Sequence, residues 1–268
     1  MVRSMSTASA AAPVGSLLRE WRSRRRVSQL ELSNHTGVSA RHLSFIETGR
    51  SRPSRDMVMR LAEYLELPLR ERNALLLAAG YAPEYAQTPL AAESMRDIRT
   101  SLQSLVDAHQ PCPALAADHA WNLVLANDAA LAFVDGVPDE LVTDPINIIR
   151  LVMHPDGMRS RVVNFADYSE HVLIRLHRQL RATGDAAIRE LIRECEGYPG
   201  IGRPRGSTHA IAPVLAIRLA SADTVMSFFT VVSTLGAPYD VTLDEIVIES
   251  FFPADAATAR AIGMAAAT

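Results

Sequence analysis

Short apolar runs at helical spacing fill the first third of the chain. Leu17, Leu18 and Trp21 stand at i, i+1 and i+4, which predicts a helix over residues 14 to 25 with one apolar face and an arginine-rich outer face. Ser28 then reads as an N-cap, and Glu31, three residues later, completes a capping box. A second helix therefore starts at Gln29 and carries Leu30, Leu32 and the small Ser33. It stops at Gly37, a residue free to take the positive φ of a tight turn. Val38 follows as a plug into the core, and Ser39 caps a third helix whose Leu43 and Ile46 face inward. Met57, Leu61 and Leu65, four apart, mark a fourth helix, and Pro68 opens a fifth, "PLRERNALLLAAG", closed by Gly80. The second and third helices, joined by a turn of a few residues, make a helix-turn-helix.

After Gly80 the pattern changes. "YAPEYAQTPLAAES" mixes proline with small residues and places a linker at 81 to 91. Ile98, Leu102, Leu105 and Val106 share one face of a following helix. "PALAADHAWNLVLAND" reads as two short strands around an Asp118-His119 turn, followed by a helix that begins at Asn127 or Asp128 and ends near Phe133. Helices are expected at 145 to 153, 165 to 182 and 185 to 196, strands at 210 to 219 and 225 to 234, and a last helix at 255 to 265. "VTLDEIVIESFF" fits helix or strand. Strands at both ends with helices between imply an α+β domain with one small antiparallel sheet over 92 to 268.

Composition refines this picture. At 268 residues and 48% hydrophobic, the chain has enough apolar material for two domains, an all-α five-helix one over 14 to 80 and the α+β one. Residues 1 to 13 read as a disordered start. All 27 basic residues are arginine, so position is more informative than number. Thirteen arginines against seven acids precede residue 81, and fourteen against twenty-three follow it, so a net charge of -3 conceals a basic head and an acidic remainder. No run reaches the ~18 apolar residues of a membrane span. Cys112 and Cys195 lack Cys or His neighbours at metal spacing, which argues against a disulfide framework and a zinc site. A cytoplasmic protein without cofactor is expected.

No enzyme is legible. Ser169, His171 and Asp167 lie too near one another in one predicted helix to converge as a triad, and no G-x-S-x-G elbow occurs. "GYPGIGRPRG" lacks the G-x-G-x-x-G spacing and reads as a loop. His154 and His177, single histidines beside apolar residues, make a poor case for haem.

A helix-turn-helix in a basic segment points to double-stranded DNA. The start of the second helix offers free N–H groups and a positive dipole end to a phosphate, so Gln29 is expected at the DNA backbone, with Arg50, Arg52 and Arg55 extending the clamp. The outer face of the third helix, with Ser39, Ala40, Arg41, Ser44 and Phe45, is expected in the major groove. There Arg41 reaches guanine O6 and N7, and Ala40 or Phe45 meets a thymine methyl. His35 and His42 read as exposed helix residues. The stretch "SQLELSNHTGVSARHLSFIETGRSRPS" resembles the DNA-binding domain of the XRE, or lambda-repressor-like, family over residues 14 to 80. That resemblance implies an internal Arg22–Glu47 ion pair between the first and third helices. Thr36 stands where an apolar residue is common.

From about residue 65 to the end, "LPLRERNALLLAAGYAP", "WNLVLANDAA" and "NIIRLVMHPDG" resemble MmyB-like transcription regulators. The resemblance implies a PAS-like ligand-binding domain and an apolar, fatty-acid-like effector. Trp121, Phe133, Met153, Phe228 and Phe229 are the candidate lining residues, and Arg150 and His154 the candidates for holding a ligand carboxylate. The whole is expected to act as a homodimeric regulator away from membranes. A C-terminal domain that only recruits a protein is the alternative.

Overall fold

The computed structural model describes residues 13–202, 215–221 and 224–264. The expected disordered start, all but its last residue, lies outside them, as do the first half of the expected 210-to-219 strand and the end of the last helix. By contacts the chain divides into two units, Met1–Gln87 with Tyr239–Val241, and Thr88–Pro238 with Thr242–Thr268.

The first unit is built on five helices: α1 (Val14–Arg24), α2 (Gln29–Thr36), α3 (Ala40–Glu47), α4 (Arg55–Tyr64) and α5 (Leu69–Ala78). The capping box is present: Ser28 Oγ accepts from the Glu31 N–H, and the Glu31 carboxylate accepts from the Ser28 N–H. Gly37 ends α2 at φ 70°, and Ser39 Oγ accepts from the His42 N–H to start α3. Leu18, Trp21, Leu32, Val38, Leu43, Ile46, Val58, Leu61, Leu65 and Leu76 are buried in one core. Thr36 is also buried; its hydroxyl donates to Leu32 O at 2.6 Å, so its polar atom is satisfied within the helix and its methyl packs. Gly15 permits the tightest approach here, because a Cβ on it would stand 2.2 Å from Ile46 O.

Residues 81 to 85 of the expected linker are fastened to this unit. The Asn73 side chain accepts from the N–H groups of Glu84 and Tyr85 and donates to Tyr85 O, while the Tyr81 hydroxyl donates to Pro53 O.

The second unit begins with α6 (Arg96–Asp107). Strands β1 (Ala114–Ala117) and β2 (Leu123–Ala126) flank the Asp118 turn, and short α7 (Asp128–Leu131) is capped by Asn127. Helices α8 (Ile148–Met153), α9 (Phe165–Thr183) and α10 (Ala186–Gly197) follow, then β3 (Ile217–Ser221), β4 (Thr224–Thr234), short α11 (Val241–Asp244), β5 (Val247–Pro253) and α12 (Ala256–Ala261). All strand pairings are antiparallel, in the order β2-β1-β5-β4-β3. The last strand in sequence is therefore the centre of the sheet. The ambiguous "VTLDEIVIESFF" resolves as both possibilities, helix α11 followed by strand β5. On α6, Leu102 and Val106 are buried, whereas Ile98 and Leu105, expected on the same face, are 37% and 54% exposed. One side of the sheet packs on α8, α9 and α10, with Met153, Val172, Leu173, Leu176, Ile188 and Ile192 in the shared core.

Candidate functional sites

The outer face of α3 carries Arg41 and Phe45, with the Arg41 guanidinium 5.4 Å from the Phe45 ring centre. Ser39 and Arg41 are exposed, and Ala40, Ser44 and Phe45 are half-buried. Arg50 follows on the exposed turn after α3. Among the described residues, neither Arg41 nor Arg50 has a hydrogen bond or ion pair at its guanidinium.

The other expected phosphate contacts have work inside the fold. Gln29 Nε2 donates to Glu47 Oε2 at 2.8 Å. Arg22 grips the same carboxylate with two bonds of 2.7 and 3.0 Å, so the implied Arg22–Glu47 pair exists and includes a third member. Burial pushes the Glu47 carboxyl up, but the bonds from Arg22 and Gln29 outweigh it and hold the group below its ordinary range. Arg52 Nε donates to Ala79 O at 2.7 Å and its Nη2 to Gly80 O at 3.1 Å, capping the C-terminus of α5, where a cation is favoured by the helix dipole. Arg25 does the same for the end of α4 through Leu65 O and Glu66 O. Arg55 pairs with Glu84, both partly exposed. Such a surface pair contributes little, so Arg55 is readily exchanged to another anion. His35 is exposed and stacks on Tyr64, but His42 is half-buried beside Ser51, because the turn after α3 folds back over it.

The second unit contains an apolar cavity of about 80 Å³. Its walls come from β1, β2, α7, α8, α9, β3 and β5, with Leu115, Leu123, Ile149, Met153, Val172 and Leu219 among them. Leu131 belongs to the lining and is 44% exposed. The space exceeds what a few waters need and is about half that of an engineered ~150 Å³ cavity that admits benzene.

Of the seven expected ligand residues, Phe133 and Met153 line this cavity. Trp121 lies behind it, buried at φ 66° with its indole N–H on Gln179 Oε1. Phe228 is wholly buried against Phe133 at 5.9 Å, while Phe229 stacks on Phe252 at 5.4 Å. Adjacent residues of a strand point to opposite sheet faces, so the two phenylalanines serve different faces. Arg150 is engaged by Glu194 through bonds of 2.7 and 2.8 Å, which hold its pKa above the ordinary value. His154 packs edge-on to Tyr198. Neither Arg150 nor His154 is part of the lining.

The polar residues of the lining are ones the sequence reading passed over: Tyr168 and Arg175 of α9 and Glu249 of β5. Arg175 Nη1 donates to Glu249 Oε1 at 3.0 Å, and its guanidinium lies 4.2 Å over the Trp121 ring. Two signals for them were present: the i, i+4, i+7 spacing of Tyr168, Val172 and Arg175, and a glutamate interrupting the apolar run "VIESFF".

Comparison with known proteins agrees with this division. Residues 13–75 match a helix-turn-helix domain family, and residues 98–264, more than half of the chain, match the family described as the MmyB-like transcription regulator ligand binding domain. No curated protein matches the chain. Both matched families are domains of transcription regulation, which makes the protein a DNA-binding regulator with a ligand-binding domain. With the helix-turn-helix ahead of it and the cavity within it, the C-terminal unit makes the chain a member of the MmyB-like transcription regulator family.

Proposed function

We propose that the protein acts in the cytoplasm as a homodimeric XRE-type regulator whose C-terminal, PAS-like domain senses a small apolar, fatty-acid-like effector. The observation that carries the sensor reading is the apolar cavity within the C-terminal unit. Sites for small ligands are concave and mostly apolar, with a few placed polar groups, and the Tyr168, Arg175 and Glu249 cluster supplies those. On the DNA side, α3 enters the major groove, with Arg41 on a guanine edge and Ala40 or Phe45 at a thymine methyl. Arg50, Arg55 and the N-terminus of α2 at Gln29 hold phosphates. Arg52 contributes chiefly by capping α5.

The experiment is a thermal-shift and calorimetry panel of straight-chain amphiphiles of about six to ten carbons on the full chain, followed by operator binding with and without the best binder. Binding that alters operator affinity is expected. A blank panel defeats the sensor reading. The small volume of the cavity favours, in that event, a C-terminal unit that only recruits a protein.

A further inference from the structure

The cavity is polar at one side only. Tyr168, Val172 and Arg175 fall at i, i+4 and i+7 on α9, one face of that helix, and all three line the cavity together with Glu249 of β5. Arg175 and Glu249 form an ion pair at 3.0 Å, their side chains 22% and 5% exposed. The pair is electrically neutral, so the cavity presents no spare positive charge.

Its hydrogen-bond donors, in contrast, are not used up. Arg175 Nε is buried without a partner, the one such side-chain atom among the described residues. The Tyr168 hydroxyl also makes no hydrogen bond among them. Burial, then the nearby Glu249 carboxylate, raises the Tyr168 pKa well above its ordinary value, so the hydroxyl keeps its proton throughout the physiological range. His171, the neighbouring ionisable group on α9, is shifted down by burial and by Arg175 and Arg178, and so adds no charge near neutral pH.

A ligand entering here meets two donors and a balanced pair. An ionised carboxylate would place a second anion against Glu249 in an apolar enclosure, with one cation between them, and a buried charge without its own counter-charge is costly. An uncharged carbonyl satisfies the same donors without adding charge, and a buried donor left unsatisfied is itself destabilising. Building on the sensor reading above, we propose that the effector's polar end is an uncharged hydrogen-bond acceptor, a ketone, ester or amide carbonyl on an alkyl body, received by Arg175 Nε and Tyr168 Oη. A fatty acid then binds in its protonated form.

The test compares 2-octanone, octanamide and octanoic acid on the full-length protein by calorimetry. The ketone and the amide are expected to bind at least about tenfold more tightly than the acid near pH 7.5, since the acid must first take up a proton. Between about pH 8 and pH 6 the acid's affinity should rise by about tenfold per unit while the ketone's stays level. Tyr168→Phe should weaken the ketone by about tenfold, the loss of one hydrogen bond, with the thermal midpoint of the unliganded protein little changed. The proposal is overturned if the acid matches the ketone near pH 7.5 with no pH dependence, or if Tyr168→Phe leaves ketone affinity unchanged. Binding by the acid alone overturns it and leaves the sensor reading standing; no binding by any of the three removes both.

Discussion

A single carboxylate, Glu47, holds Arg22 of α1 and Gln29 of α2 to the last residue of α3. Because its pKa is lowered in the folded state, its stabilisation is fully present above the ordinary glutamate value of ~4.3 and is lost as pH falls through the lower folded value. Glu47→Gln should flatten that acid limb in a plot of thermal midpoint against pH. It should also destabilise at neutral pH, by up to ~3–5 kcal/mol if Arg22 is left unpaired. Arg41 and Arg50 should fail differently from each other. Arg41→Ala is expected to cost ~1–3 kcal/mol on the operator and little on random DNA, and Arg50→Ala to weaken both alike and reduce the salt slope by about 1 per subunit. Titration of both duplexes at several salt concentrations separates them, and equal loss on every sequence for Arg41→Ala would remove α3 from the groove. Arg52→Ala should instead show itself in denaturant unfolding, by ~1 kcal/mol or somewhat more, as two carbonyl bonds at the end of α5 disappear. The sequence did not separate Arg52 from Arg50, because an arginine that caps a helix end 27 residues away leaves the same letter as one that faces solvent.

At the scale of elements, local signals were legible and long-range ones were not. Ser28, Glu31, Gly37 and Ser39 act within four residues of themselves, so the boundaries of α2 and α3 follow from the chain alone. The position of β5 depends on partners more than a hundred residues earlier in β1, and its Glu249 is matched by Arg175 of α9, a pairing that no local pattern shows. Phe228 and Phe229 show the same limit: aromatic identity suggested a pocket, and strand alternation assigned them to opposite faces. The Arg175–Glu249 contact predicts strong non-additivity. Arg175→Met alone should destabilise by ~3–5 kcal/mol because it leaves a buried carboxylate unpaired, whereas Arg175→Met with Glu249→Leu should cost much less, as read from chemical denaturation of the single and double variants. Gly15→Ala tests the approach of α1 to α3 in the same way. A methyl set against a backbone carbonyl must shift one helix, at ~1–3 kcal/mol.

For the whole molecule, the two matched domains make regulation a matter of linkage between two binding events. Whatever factor the effector changes operator affinity by, the operator must change effector affinity by the same factor. Measuring effector affinity with and without saturating operator checks this directly, and a factor of one would mean that the two sites are uncoupled. A two-fold dimer further requires an inverted-repeat operator with half-site centres about one helical turn, roughly 34 Å, apart. Footprinting that protects a lone half-site would exclude that arrangement.

The apolar cavity is also a hole in the main core of the C-terminal unit, walled by strands and helices together. A molecule that fills it becomes part of that core, and ligand present at a hundred times its dissociation constant adds about 2.7 kcal/mol to the stability of the folded chain. The empty form is then expected to open more often and to be cleaved faster by proteases, so effector occupancy should lengthen the life of each copy of the regulator. Effector starvation would then lower the number of regulators in the cell as well as their occupancy, and a pulse-chase of the protein with and without effector would show a shorter half-life in its absence.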